Sequence, residues 1–169
     1  MTSIIKVDQI QTAAGGVPTA ADLGLNVSGA VVNATRWTTS SFNGSGSTNA
    51  YVALANLSLT AKAGNIMHVS GVIPTRGAAG GGWNLTLIRL SSSVDGVVWN
   101  SGYDGQNGTT EIICNIPING SWVWGGTGEN THTISLEFKA YGGITRYYGS
   151  SNQDTTTTTP VLTFLEIAG

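Results

Sequence analysis

HTISLEFKAY, residues 132–141, decides the class of fold. His132, Ile134, Leu136, Phe138 and Ala140 fall on one side of an extended chain. Thr133, Ser135, Glu137, Lys139 and Tyr141 fall on the other. A helix would scatter these residues around its circumference. A strand sorts them into an apolar face and a polar face, as a half-buried antiparallel strand requires.

The same period of two recurs outward from this stretch. YVALANLSLT (51–60) puts Tyr51, Ala53, Ala55, Leu57 and Leu59 on one face. GNIMHVSGVI (64–73) and WNLTLIRL (83–90) alternate likewise. GVVWN (96–100), TEIICNIPI (110–118), SWVW (121–124), ITRYYG (144–149) and PVLTFLEIA (160–168) add shorter runs. Between them stand Gly-rich breakers such as NGSGSTN, RGAAGGG, ING and GGTGEN. About nine strands joined by such turns predict an all-β, antiparallel β-sandwich of jelly-roll type over residues 30–169. The last strand is apolar enough to be central, so the C-terminus is expected to be locked into a sheet.

Composition agrees and narrows the function. Gly, Thr, Ser and Asn supply 75 of the 169 residues, and only 9% are charged. The seven Lys and Arg are scattered singly, with no basic stripe to follow a phosphate backbone, so no nucleic-acid partner is expected. No apolar run is long enough for a membrane helix, and MTSIIKVDQIQ has no signal-peptide pattern. A surface this poor in charge suits a protein that buries much of itself against other subunits.

KVDQIQTAAGGVPTAADLGLN (6–26) does not belong to this pattern. IIKVDQI can form one short strand, Gly15, Gly16 and Pro18 break it, and TAADLG makes a single helical turn. One turn is unstable alone, and the apolar residues are too few for a core. Residues 1–29 therefore read as an extended attachment segment, ordered by a partner surface through Ile5, Val7, Ile10, Pro18, Leu23 and Leu25.

Residues for chemistry are sparse. His68 and His132 sit inside strand patterns, and His132 on an apolar face reads as a packed histidine. Cys114 alternates with Ile112 and Ile116 and reads as a small hydrophobe. No Gly-x-Ser-x-Gly elbow or phosphate loop occurs. Asp95 and Asp104 flank GVVWNSGY and are placed to meet across a hairpin, but lack the ligand density of a calcium site. Glu111 and Glu129 are the other acidic pair a polysaccharide depolymerase would need. The expectation is no enzyme, no metal and no cofactor. Trp99, Tyr103, Trp122, Trp124, Tyr147 and Tyr148 remain as aromatics for subunit contact or for stacking on a glycan, such as a host-surface polysaccharide.

The segment SIIKVDQIQTAAGGVPTAADLGLNVSG (3–29) resembles the N-terminal segment of tail-fibre-like virion structural proteins of bacteriophages, notably those of marine and cyanobacterial hosts. The match lies in Lys6-Val7-Asp8, Ile10-Gln11, Gly15-Gly16, Pro18 and Ala20-Ala21-Asp22-Leu23-Gly24. LTFLEIAG (162–169) is similar to the final strand of such domains. The resemblance implies a homotrimeric virion protein, made in the host bacterial cytoplasm and attached to a tail, baseplate or capsid through residues 3–29. A tail fibre or short appendage that recognises the host surface is one form; a capsid decoration or cement protein or head fibre is another, and a free carbohydrate-binding module a third. Loops 76–82, 103–108, 125–130 and 150–159 would form the recognition tip.

Overall fold

The computed structural model describes residues 28–38, 44–46, 50–77, 83–100, 104–107, 112–141, 146–148 and 161–169. The attachment residues Ile5, Val7, Ile10, Pro18, Leu23 and Leu25, together with Tyr103 and Glu111, lie outside them.

The described residues form eleven strands: β1 (Val31–Thr38), β2 (Gly44–Gly46), β3 (Val52–Lys62), β4 (Ile66–Gly77), β5 (Trp83–Ser92), β6 (Gly96–Asn100), β7 (Asp104–Asn107), β8 (Ile112–Val123), β9 (Glu129–Tyr141), β10 (Arg146–Tyr148) and β11 (Val161–Ile167). They pair into two sheets, antiparallel throughout. In the first sheet the order is β1-β11-β4-β8. There β10 takes up residues 75–77 of β4 where β11 has paired residues 66–72, and β2 lies outside β10 as β1 lies outside β11. In the second sheet the order is β3-β9-β5, with β6 and β7 following one another along the far side of β5. With the interrupted strands joined, this is two four-stranded sheets, the arrangement of a jelly roll.

The core lies between the sheets. Val69, Ile73, Ile118, Leu162 and Phe164 enter it from the first sheet, and Ile88, Leu90, Ile134 and Leu136 from the second, none more than 1% exposed. Each such side chain contributes about 1.5–3 kcal/mol by leaving water. Burial along β9 alternates from His132 to Phe138 as the sequence predicts, and β11 alternates likewise. That last strand is held on both sides, by β1 and β4.

Three local differences from the sequence reading have physical causes. First, β1 is a strand the apolar pattern did not announce. Its inner residues include Asn33 and Thr35, which with Glu166 line a small cleft, while Val31 and Val32 are exposed. Second, residues 112–118 and 121–123 belong to one strand, β8, which passes straight through Gly120. A Cβ at Gly120 would come within 2.6 Å of Trp99 Cδ1, so this glycine serves close packing, not a turn. Third, β3 carries a bulge: Ala53 faces Glu137 while Ala55 faces Leu136. The extra residue reverses the alternation beyond it. Ala55, Leu57 and Leu59 face the core as expected, but Ala53 and Tyr51 turn to the outer surface.

One end of the sandwich is closed by backbone hydrogen bonds. Gly29 N donates to Ala168 O and Ala168 N to Ala30 O, both at 2.9 Å, which pins the start of β1 to the chain's end. Gly64 N donates to Trp124 O (2.9 Å), Trp124 N to Asn65 O (2.8 Å) and Ala63 N to Gly128 O (2.7 Å), tying the β3–β4 turn to the β8–β9 loop. The loop at 125–130 thus stands at the end where residues 1–27 join the domain. The ends of β4, β7 and β9 lie at the other end. Of the expected tip loops, 125–130 thus stands at the opposite end from residues 76–77 and 104–107, while 78–82, 103, 108 and 150–159 lie outside the described residues.

Candidate functional site

The closed end gathers the polar side chains with the most defined geometry. His132 comes from the inner face of β9 and is fully buried. Its ring stacks on Trp124, with centroids 3.9 Å apart and planes 12° from parallel. Its Nδ1 lies 3.1 Å from Asp95 Oδ2 and 3.0 Å from Ser92 Oγ. Ser92 Oγ accepts from the Val94 and Asp95 amides at 3.2 and 3.0 Å, and lies 3.2 Å from Asp95 Oδ2 as donor. A carboxylate beside Nδ1 selects the tautomer with its proton there. Nε2 is left as a buried acceptor with no partner.

A serine, a histidine and an aspartate in contact invite comparison with a nucleophilic triad. That chemistry divides the histidine between two tasks, with one nitrogen on the serine and the other on the carboxylate. Here both partners share Nδ1, Ser92 is only 6% exposed, and no substrate can reach the ring. The cluster fastens the β5–β6 turn to β9.

The sequence-predicted aromatics separate in the fold. Trp124 is fully buried, with its indole N–H on Asn130 Oδ1 at 3.2 Å, and Asn130 Nδ2 donates to Gly125 O at 3.1 Å to shape the loop. Trp122 is half-buried and tilted against Trp124 at 6.3 Å. Trp99 packs against the core over Gly120, and its N–H donates to Asn119 O at 3.1 Å. These three belong to the domain's own interior and its seam, and Trp124 offers no surface to a sugar. Tyr147 and Tyr148 pair with Arg76 and Thr75 through the backbone of β10.

Asp95 and Asp104 do not meet. Ser92, beside the turn that holds Asp95, is six residues along β5 from Thr86, the partner of Asp104. That separation is about 20 Å at strand rise. Glu129 pairs with Lys62 at the edge of the second sheet. No group of three or more metal-ligating side chains occurs among the described residues. No helix among them is long and apolar enough to cross a membrane.

The sequence reading missed an aromatic. Turned outward by the β3 bulge, Tyr51 lies under the Arg89 guanidinium, 3.9 Å from the ring centroid, with Lys139 Nζ at 5.7 Å. Arg89 also pairs with Glu137, which accepts from Ser91 Oγ at 3.0 Å. Only the bulge could have revealed this cluster, and strict alternation hides a bulge.

Charge sorts by sheet. Where side chains are described, Lys62, Arg89, Glu129, Glu137 and Lys139 occupy the outer face of the second sheet. Arg36 alone lies on the outer face of the first. Asp95 and Glu166 turn inward, where Glu166 Oε1 accepts from Lys62 N (2.9 Å) and Asn65 Nδ2 (2.7 Å).

This is an all-β domain of the jelly-roll kind, found among viral capsid folds. A chain of the T13 particle of infectious bursal disease virus superposes with a TM-score of 0.51 at 14% identity, covering 81% of this chain and 31% of that one. The VP2 subviral particle of the same virus gives a TM-score of 0.51 at 14% identity, covering 82% and 34%. The protein thus spans about a third of each of those chains, and at this identity the likeness is one of fold. No protein-family model and no curated protein matches the sequence.

Proposed function

We propose that this chain is a non-enzymatic structural protein of a virus particle, assembled from several copies and attached through residues 3–29. The observation that supports the reading is where the described domain begins: Gly29 is pinned to Ala168, beside the 125–130 loop. The domain behind it has the fold of chains that build a virus particle. A leader that cannot hold a shape alone then points toward the particle, and the opposite end of the sandwich points away. In this orientation the protein is a short phage appendage, a homotrimer whose outer end recognises the host surface.

A second reading, a decoration protein bound to the capsid, is favoured by the nature of the structural neighbours, which are capsid chains. Both readings require the leader. Full-length protein carrying Ile5→Asp, Val7→Asp and Leu23→Asp should keep its fold and its copy number but no longer load onto purified particles. Undiminished loading would remove the attachment role. Antibody-labelled electron microscopy of intact particles distinguishes the readings: label at the tail supports the appendage, and label over the head supports decoration.

A further inference from the structure

The outer face of the first sheet is built in rows across β1, β11, β4 and β8. Its first row is Val31, Ile167, Ile66 and Val123, apolar on all four strands. The next is Ala34, Leu165, His68 and Ser121, then Arg36, Thr163, Ser70 and Asn119. A fourth row holds Thr38, Val161, Val72 and Pro117. Val31 is 56% exposed, Val123 63%, Val72 43% and Ile66 37%. At about 4.8 Å per strand the face is about 19 Å wide. The exposed apolar side chains gather in the first and fourth rows, on either side of two largely polar, uncharged rows, a mixture that suits contact with another protein.

We infer that this face is where copies of the chain meet one another, which rests on the proposed assembly from several copies. A contact between identical subunits must tolerate the same charges on both sides. These four rows meet that condition, because Arg36 is the one Lys, Arg, Asp or Glu in them and lies on β1, the strand at the rim. The second sheet is the poorer candidate, because a contact there would have to take Lys62, Arg89, Glu129, Glu137 and Lys139 out of water. The leader is a poorer occupant. In an extended IIKVDQI the side opposite Ile4, Lys6, Asp8 and Ile10 offers only Ile5 and Val7 as apolar residues, too few for four rows. The other side would bring Lys6 and Asp8 against apolar rows.

The test is the solution mass of the full chain, by light scattering on a sizing column. The wild type should run as an oligomer, and V72K/V123K should fall to the 17.4 kDa monomer with an unchanged far-UV circular dichroism spectrum. Thr133→Lys, on the second sheet, should stay oligomeric. Independently, maleimide should label the Val123→Cys variant in the oligomer at least tenfold more slowly than the Ser58→Cys variant. An oligomeric wild type whose V72K/V123K variant stays assembled, together with fast labelling of Val123→Cys, overturns this inference alone. A monomeric wild type overturns the assembly reading with it. Loss of assembly only when residues 1–28 are removed would show that the leader joins the copies, and also overturns the inference.

Discussion

The imidazole of His132 lies flat on the indole of Trp124, with ring centroids 3.9 Å apart, and so couples β9 to the loop that closes the sandwich. The same ring holds Asp95 and Ser92 through Nδ1. His132→Ala would open a cavity beneath Trp124 and release the β5–β6 turn. A loss of about 3 kcal/mol in unfolding free energy is expected, within the range for truncating a large buried side chain. Urea unfolding of the variant checks it, and a loss below about 1 kcal/mol would mean that the stack contributes little.

Gly71 should not accept a side chain. A Cβ there would collide with the Val161 carbonyl oxygen and stand 2.7 Å from Leu162 Cδ2, inside the β4–β11 ladder. Gly71→Ala must force β11 away from β4 or shift Leu162 in the core. We expect a loss of at least about 2 kcal/mol, read as a lower melting temperature. A melting point unchanged from wild type would show that the ladder yields without cost.

Gly120→Ala tests the reading of β8. The new methyl group would meet the Trp99 indole at 2.6 Å, so Trp99 must leave its seat and its bond to Asn119 O. The expected result is a more exposed tryptophan, seen as a red shift in fluorescence, and about 1–3 kcal/mol of destabilisation. If Gly120 were only a turn residue, neither would change.

Glu166 is a buried carboxylate satisfied by the Lys62 amide and the Asn65 side chain. Glu166→Leu leaves both donors without their acceptor and should cost about 1–3 kcal/mol. Glu166→Gln keeps an acceptor oxygen and should retain most of that stability. Equal denaturation midpoints for the two variants would refute the hydrogen-bonding role.

On the outer face of the second sheet, Tyr51→Ala removes the ring beneath Arg89. The contact is partly exposed, so a loss of about 0.5–1 kcal/mol is expected. Assembly should be unaffected, because this is not the inferred contact face. A variant that dissociates the oligomer would move the contact to the second sheet.

Period-two alternation alone determined the class of fold. HTISLEFKAY and PVLTFLEIA each bury one face, and a strand with one wet side and one dry side has few options besides an antiparallel sandwich. Sparse charge was equally legible, because it follows from residue counts. The tertiary structure decided what local pattern cannot encode. It ran β8 through Gly120, because the residue that needs the space, Trp99, is 21 positions away in the sequence. It turned Tyr51 outward through one extra residue in β3, since a period of exactly two reverses at any insertion. It recruited β1, whose polar inner residues Asn33 and Thr35 line a small cleft with Glu166, Leu59, Met67 and Phe164, all distant in the chain. Among the described side chains it left Arg36 alone on the outer face of the first sheet and gathered charge on the second, a division visible only when strands distant in the chain lie side by side.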